Sequence, residues 1–456
     1  MKEQNQPQVD ERGRAVPPPS RSLLVTVLAC LLTGLVVFLS TFFALSGYYS
    51  AEVENYRANY VKYSDKYDVG LLEAALGLLD STSIFDLPEK GDLTETMIET
   101  AISAMGDRYG TFFTDAEYAA YSGDLAGNFV GIGVTLQKDA DGNALVVLVH
   151  AGSPAEESGL AAGDALVSVD GVRFADGYDE AFDSIVGEAG STVEIGYLRG
   201  GEPATVTVTR GEVVKQTVVS RIEEYGASKI GYVYISGFDG HTFDQFKAAV
   251  SELEEAGVDA LLFDVRSNGG GLLSSVGQVL AYLLPDGVIA YVDYKSDSLS
   301  DYTISARNGA VKTGNATPVP YCEGGHRIAL PAAVLVNGKT ASAAELFTAA
   351  LRDYADPAFA ESAEVEPLDV TLFGTQTYGK GTVQTTYPLG GGNYLKLTVA
   401  RYNPPTNVNY DGVGITPDRI VEQTEDEEAI SVYLRTKDND SQLAAALAYL
   451  DEKVNP

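Results

Sequence analysis

The chain has 456 residues, 45% of them hydrophobic, which is enough for roughly three domains with buried cores. Its 64 acidic residues against 31 lysines and arginines give a formal net charge of -33. A chain this acidic repels nucleic acid and anionic lipid headgroups, so functions that depend on binding either surface are disfavoured. Cys30 lies in an apolar run and cannot pair with Cys322, so no disulfide framework is expected.

The amino-terminal part predicts a membrane anchor. Residues 1–21 form a polar, proline-bearing tail that should be disordered, and residues 22–45 carry no charge over about the length that spans a bilayer. Basic residues precede this segment, and Glu52 and Glu54 follow it, which predicts a cytoplasmic amino end and an extracytoplasmic remainder. The alternative is a cleaved signal peptide, whose apolar region would be shorter. Residues 44–46 (Ala-Leu-Ser) offer only a poor cleavage site.

Residues 46–125 are predicted to form a helical arm. The stretches VGLLEAALGLLD and LTETMIETAISAMG place apolar residues at three- and four-residue spacing, as an amphipathic helix does. This pattern leaves two roles open. The arm either packs against the following domains or a second subunit, or it only spaces them from the membrane.

Residues 126–212 alternate short β-like runs with glycine turns, and one helix-like piece, YDEAFDSIV, interrupts them. A glycine-rich hairpin is the simpler alternative, but the ordered signals resemble a PDZ domain. The resemblance implies that an extended peptide tail adds to a sheet edge while loop N–H groups hold its terminal carboxylate. The matching loop contains Gly131, Ile132, Gly133 and Val134. Proteins with this type of domain often have an arginine at the position of Val186. A ligand-sensing role that depends on that arginine is therefore not carried over to this chain.

Residues 213–430 alternate strand-like and helix-like stretches, including KIGYVYIS, FDQFKAAVSELEEAG, DALLFDVR and LLSSVGQVLAYLL. This alternation predicts an α/β sheet, and residues 431–456 predict a carboxyl-terminal helical segment. The loop SNGGG at 267–271 follows a strand, where open α/β sheets bind ligands. It lacks the lysine and hydroxyl of a phosphate-binding P-loop.

Ser342 is the candidate nucleophile. The sequence around it reads as a buried strand, a turn at residues 337–338 and a helix that starts near Ser342. A serine at such a turn can expose its hydroxyl, while the first N–H groups of the helix are free to stabilise an oxyanion. The alternative is a serine that only caps the helix.

Lys380 is the candidate general base, and the alternative is a surface lysine in a glycine turn. Gly379 and Gly381 flank it, which lets a substrate backbone approach closely. A lysine base must lose several pKa units by desolvation, and no acidic residue lies between Thr371 and Leu389 to oppose that loss. Gln384 lies four residues further on and can orient the amine.

The three histidines, His150, His241 and His326, lie in no hydrolase signature and are interpreted as surface or capping residues. The sequence has no HExxH helix, no CxxC pair and no calcium loop. No metal or other cofactor is therefore expected.

Several motifs together resemble the carboxyl-terminal processing peptidases, also called tail-specific proteases. They are FVGIGV at 129–134, GSPAEESGLAAGDALVSVDG at 152–171, FDVRSNGGGLL at 263–273, NGKTASAAELFTAAL at 337–351, TYGKGTVQ at 377–384, and LKLTVARYNPP with GVGITPD between 395 and 418. The resemblance implies that Ser342 is the nucleophile, Lys380 the general base and Gln384 its orienting partner. It also implies an oxyanion hole formed by Gly270 and Ala343.

This chain departs from the family's pattern near these motifs. Thr340 and Ala344 replace serines around the nucleophile, and neither change removes a required group. Gly269 replaces a proline, which should loosen its loop. The segment between Ser342 and Lys380 is longer than the family's usual one.

The predicted protein is thus a multidomain α/β, membrane-anchored, extracytoplasmic serine endopeptidase, of bacterial origin by resemblance. Its PDZ-like domain would capture protein or peptide substrates by their free carboxyl termini, and a homo-oligomer is compatible with the arm. The alternative from another class is an inactive peptide-binding scaffold with the same fold.

Overall fold

The structure is a computed structural model that describes residues 69–82, 90–295, 301–307, 310–314, 319–320 and 327–456. The predicted tail and the apolar segment 22–45 lie outside these residues, as do Cys322 and His326. Within the described ranges, no helix is both long and apolar enough to cross a bilayer. The chain divides into two compact units, Met1–Thr94 and Glu95–Pro456, and the site described below belongs to the second.

The predicted arm is helical over most of its described residues, but it also contains a strand. Its elements are α1 (Val69–Thr82), α2 (Lys90–Ala104), β1 (Thr111–Phe113) and α3 (Asp115–Ala126). Strand β1 was not predicted, and it pairs antiparallel with β20 (Asn393–Asn403). Helix α3 starts with a capping box between Thr114 and Glu117, and the left-handed Gly127 ends it. Its two ends are therefore fixed by local hydrogen bonds.

The PDZ-like region folds as predicted into a small β domain. Its elements are β2 (Asn128–Gly131), β3 (Val134–Lys138), β4 (Ala144–Val149), α4 (Pro154–Glu157), β5 (Ala165–Val169), β6 (Val172–Arg173), α5 (Tyr178–Asp183), β7 (Thr192–Arg199), β8 (Glu202–Thr209) and β9 (Gly211–Val214). The main sheet has the order β3-β4-β5-β7-β8, so β3 lies at one edge. Buried apolar side chains such as Ile132, Leu166 and Ile195 form the core of this domain.

A six-stranded sheet forms the centre of the following domain. Its strands are β10 (Val218–Tyr225), β11 (Ser228–Ile235), β12 (Ala260–Asp264), β17 (Ala332–Val336), β18 (Val370–Gly374) and β21 (Arg419–Ile420), in that spatial order. All neighbours from β11 to β21 are parallel. Strands β12 and β17 are buried along their whole length, which explains their uninterrupted apolar sequences.

Helices cover both faces of this sheet. Helices α6 (Thr242–Glu255), α7 (Leu273–Leu283) and α8 (Ala343–Ala355) share one core with Leu261, Phe263 and Val334. Alternate strand residues such as Leu262 and Leu335 face the other way and pack with helix α11 (Ser441–Val454). The alternation follows from the two-residue period of a strand, and it confirms the predicted α/β class.

The remaining elements are a second sheet, the short helix α9 and the carboxyl-terminal segment. They are β13 (Gly287–Tyr294), β14 (Tyr302–Arg307), β15 (Ala310–Thr313), β16 (Val319–Pro320), α9 (Pro357–Ser362), β19 (Thr382–Gly390), β20, α10 (Glu425–Ala429) and a 3-10 turn (Val432–Leu434). Strand β20 pairs with β1, β13 and β19. The second sheet therefore joins the arm to the strand that follows Lys380.

Candidate active site

Three loops meet at the carboxyl ends of the neighbouring parallel strands β12, β17 and β18. The glycine loop follows β12, Ser342 follows β17, and Lys380 follows β18. The Ala341 N–H donates to the Asn268 carbonyl at 2.9 Å, and the Tyr378 N–H donates to the Thr340 carbonyl at 3.0 Å. The topology therefore brings the three predicted segments together at the sheet edge where such folds bind ligands.

Ser342 lies at the start of α8 in a backbone conformation that side chains rarely adopt, with φ 58° and ψ -121°. A positive φ at a non-glycine residue is strained and persists only when the surroundings fix it. The adjacent glycine loop supplies part of this fixation. A Cβ on Gly270 would lie 2.7 Å from the Ser342 Cβ and 2.9 Å from the Ala343 nitrogen, so only glycine fits there.

Glu345 joins the Ser342 turn to the Lys380 loop. It is fully buried on the first turn of α8. Its Oε2 accepts the Ser342 N–H at 3.0 Å and the Lys380 N–H at 2.7 Å. Its Oε1 accepts the Thr377 hydroxyl at 2.6 Å and the Gly379 N–H at 2.7 Å. One carboxylate therefore fixes the backbone of both predicted catalytic residues.

The predicted oxyanion residues lie beside Ser342. Ala343 is the first residue of α8, so its N–H has no acceptor one turn earlier within the helix. The Gly270 N–H donates to the Asn268 side chain at 2.8 Å. The next glycine, Gly271, lines the same cavity as Ser342 and Ala343. The role of Gly270 as an oxyanion donor stays a prediction.

Lys380 is half-buried rather than a surface residue, and its Nζ lies 4.3 Å from the centre of the Tyr109 ring. Its carbonyl accepts the Tyr402 hydroxyl at 2.8 Å, and the neighbouring Gly381 N–H donates to Asp411 at 3.0 Å. No hydrogen bond joins Lys380 Nζ to the Ser342 hydroxyl in the described part of the chain. The structure therefore fixes the Lys380 backbone tightly and holds its amine against an aromatic face.

Burial lowers the pKa of Lys380, and the positive charge of Lys396 lowers it further. Asp107, Asp411 and Glu345 oppose this change because they favour the charged amine. Neither Asp107 nor Asp411 was indicated by the sequence around Lys380, since both come from distant segments. The net lowering of the pKa moves the amine towards the neutral form that a general base needs.

Gln384 lines the same cavity as Ser342 and Ala343. Its amide donates to the Thr382 hydroxyl at 3.1 Å and to the Thr398 hydroxyl at 3.2 Å. Thr398 in turn donates its hydroxyl and its N–H to Asp107 at 2.8 Å each. The amide is thus held within a polar network beside the lysine, and its contact with the amine itself stays a prediction.

The predicted peptide-binding loop lines a second cavity of about 500 Å³ in the PDZ-like domain. Gly131, Ile132, Gly133 and Val134 form one side of this cavity. The apolar side chains Phe129, Leu136, Phe182, Ile185 and Val186 line it too, together with the cation Lys215. Because the adjoining strand β3 is an edge strand, an extended peptide can pair with it.

The histidine interpretation is wrong for His150 and holds for His241 only in its position. His241 occupies the N-cap position of α6, but its side chain makes no capping hydrogen bond, and its Nε2 lies 3.2 Å from the Asn128 side-chain oxygen instead. His150 is 4% exposed, and its Nδ1 accepts the Gln216 N–H at 3.0 Å. It is buried because the connection between the two domains covers it. In the described ranges, no three or more His, Cys, Asp or Glu residues are arranged to hold a metal ion.

Sequence reasoning missed Glu345, Asp107 and Tyr109. The pattern S-x-x-E at Ser342 is a capping-box signature and could have identified Glu345. Nothing in the sequence indicated Asp107 or Tyr109, which lie before the PDZ-like domain and reach Lys380 only through the fold.

Comparison with known proteins agrees with this architecture. Residues 229–421 match Peptidase family S41, and residues 129–209 match the PDZ domain. The chain is 32% identical over 342 residues to a chloroplastic C-terminal processing peptidase of Tetradesmus obliquus, covering 71% of this chain and 67% of that protein. It is 29% identical over 362 residues to a carboxyl-terminal-processing protease of Synechocystis sp., covering 78% and 77%.

A solved structure shows the same fold. It is a putative S41 protease from Bacteroides fragilis, which superposes with a TM-score of 0.51 at 20% sequence identity. The match covers 82% of this chain and 93% of that one. Helix α3, which precedes residue 129, lies outside both family matches.

Proposed function

We propose that this chain cleaves proteins, with Ser342 as nucleophile and Lys380 as general base. The chain belongs to the carboxyl-terminal processing peptidases of family S41 and contains a PDZ domain. The observation that supports this pairing is the buried Glu345 carboxylate, which holds the backbone of both residues.

The proposed mechanism is acyl transfer. The Ser342 hydroxyl attacks the scissile carbonyl, and neutral Lys380 accepts its proton. The Ala343 N–H and a glycine-loop N–H, from Gly270 in our prediction, stabilise the oxyanion. Lys380 then returns the proton to the leaving amine, and water hydrolyses the acyl-enzyme. Gln384 helps to position the lysine amine during these proton transfers.

Four variants test the assignment of the nucleophile and the base. Ser342→Ala and Lys380→Ala should each lower kcat by about 10³-fold or more, because the nucleophile and the base act as one unit. Lys380→Arg should not restore activity, since arginine stays protonated. A triple variant with His150→Gln, His241→Asn and His326→Asn should retain turnover. A folded but inactive triple variant would show that the base is a histidine.

We further propose that the PDZ domain selects substrates by their free carboxyl terminus. The supporting observations are the loop cavity, the edge strand β3 and the single cation Lys215 among the residues that line the cavity. Capture there would raise the local concentration of substrate near Ser342. A peptide with a free carboxylate should therefore be cleaved faster than its amide at sub-saturating concentration. Equal rates for the acid and the amide would contradict this selection.

The proposed location is the outer face of a membrane, with the amino end in the cytoplasm. It rests on the uncharged segment 22–45 and the basic residues before it. Protease added outside intact cells should digest the bulk of the chain and spare a tag placed before Lys2. Digestion of that tag in sealed cells would reverse the orientation.

A further inference from the structure

We infer that Tyr121 and Leu125 of helix α3 form the wall of a pocket that selects a mid-sized, uncharged apolar side chain on the substrate residue whose carbonyl Ser342 attacks. This inference rests on the proposed function. It concerns the segment before the PDZ domain, which neither family match includes.

A cavity of about 150 Å³ opens at Ser342. Its apolar walls come from three parts of the chain. Tyr121 and Leu125 belong to α3, Leu272 and Leu273 lie at the start of α7, and Val383 belongs to β19. The polar lining consists of the Ser342, Thr382, Gln384 and Tyr402 side chains, so none of the lining residues carries a formal charge.

The α3 wall is held rigidly. The Tyr121 ring stacks on Phe113, with 5.0 Å between ring centres and 21° between ring planes. Lys396 Nζ lies 4.7 Å from the centre of the same ring. At the other end of the helix, the Leu125 carbonyl accepts the Gly240 N–H at 3.1 Å, which ties α3 to the protease body. A wall fixed by packing on both sides can discriminate between side chains by size.

The size and polarity of the cavity define the group that it accepts. An apolar cavity of about 150 Å³ holds a benzene-sized group, which corresponds to side chains such as leucine, methionine or valine. An indole is too large for this space. None of the lining residues offers an opposite charge, so a charged side chain that enters among leucine, valine and tyrosine would lose hydration without an ion pair from the lining, which is unfavourable.

The position of the cavity assigns it to the acyl side of the scissile bond. Ala343 and Gly271 line it together with Ser342. An oxyanion held by backbone N–H groups of this turn places the attacked carbonyl directly at the cavity mouth. The side chain of the residue that carries this carbonyl is therefore the one that enters.

The experiment uses the full-length chain and peptides that share one free carboxyl terminus and differ only at the residue before the scissile bond. We expect leucine and valine to give kcat/KM values on the order of 100-fold above glutamate and lysine, with tryptophan also poor. Tyr121→Ala and Leu125→Ala enlarge the cavity, so each should raise the ratio of tryptophan to leucine cleavage at least tenfold. A second peptide set that varies the residue after the scissile bond should show no such shift.

Tyr118→Ala is the matched control, because Tyr118 lies on the same helix but stacks on Tyr394 at 3.8 Å and does not line the cavity. It should leave the order of peptides unchanged. If the enzyme stays active and neither Tyr121→Ala nor Leu125→Ala changes the order of kcat/KM among the peptides, the proposed pocket is wrong but the proposed function stands. If Tyr121→Ala does not fold, Leu125→Ala alone decides. Absence of Ser342-dependent cleavage of every peptide overturns the proposed function and the pocket together.

Discussion

Replacing Glu345 by glutamine should disable the site although the side chain keeps its shape. Each carboxylate oxygen accepts two hydrogen bonds, from Ser342 and Lys380 on Oε2 and from Thr377 and Gly379 on Oε1. In glutamine one of these positions becomes an NH2 group, which cannot accept, so two charge-assisted bonds are lost. At roughly 1.5–3 kcal/mol for each bond, the expected cost is about 3–6 kcal/mol.

The assay combines thermal unfolding with kcat/KM on a peptide substrate. Glu345→Gln should lower the melting temperature and reduce kcat/KM by about 100-fold or more, since small displacements of catalytic groups have large effects on rate. Glu361→Gln, the same change at an exposed residue of α9, should alter neither quantity. Wild-type activity and stability in Glu345→Gln would show that Glu345 does not organise the two loops.

Three further predictions concern other charged groups. The acidic limb of the pH–kcat/KM profile should lie below the ordinary lysine pKa, because only the neutral amine of Lys380 accepts a proton and its pKa is lowered, first by burial and then by Lys396. Lys396→Met removes that second cause, so it should move this limb to higher pH. Asp440→Asn should destabilise the chain by about 3–5 kcal/mol in urea unfolding, because the fully buried Arg266 pairs with Asp440 at 2.7 Å, whereas the exposed Asp438→Asn should not. Lys215→Met should reduce the ratio of acid to amide peptide cleavage, and Lys229→Met, at an exposed lysine outside the cavity, should leave that ratio unchanged.

The features that the sequence predicted well depend on local signals. Glycines at turns and alternating apolar residues predicted the PDZ-like strands, and an apolar run followed by a turn predicted Ser342 at the start of a helix. The flanking glycines of Lys380 were interpreted as allowing a substrate backbone to approach closely, and that role stays a prediction. Gly379 has a φ of 88°, and a Cβ there would lie 2.9 Å from the Gly414 nitrogen, so the close approach in the structure is to the chain's own backbone.

The features that the sequence did not reveal depend on contacts between distant segments. The absence of acids between Thr371 and Leu389 excluded only a local carboxylate that would hold Lys380 protonated. Asp107 and Asp411, which come from distant segments, favour its charged form through space. His150 was interpreted as a surface or capping residue because it lies in no hydrolase signature. The connection at Gln216 buries it, and no periodicity in the sequence reports such a contact.

Helix α3 contributes residues to the Ser342 cavity and to the cavity of the PDZ-like domain (the peptide cavity), and this position limits how strongly the two can influence each other. Tyr121 and Leu125 are four residues apart and share the face that lines the Ser342 cavity, whereas Asp124 lines the peptide cavity. Asp124 pairs there with Lys215 at 2.7 Å, and both side chains are exposed. An exposed ion pair contributes about 0–1 kcal/mol. If a peptide carboxylate binds Lys215 and breaks its ion pair with Asp124, α3 therefore loses no more stabilisation than that. One kcal/mol corresponds to about a fivefold change in an equilibrium, so coupling through this ion pair produces a graded effect on cleavage rather than a switch.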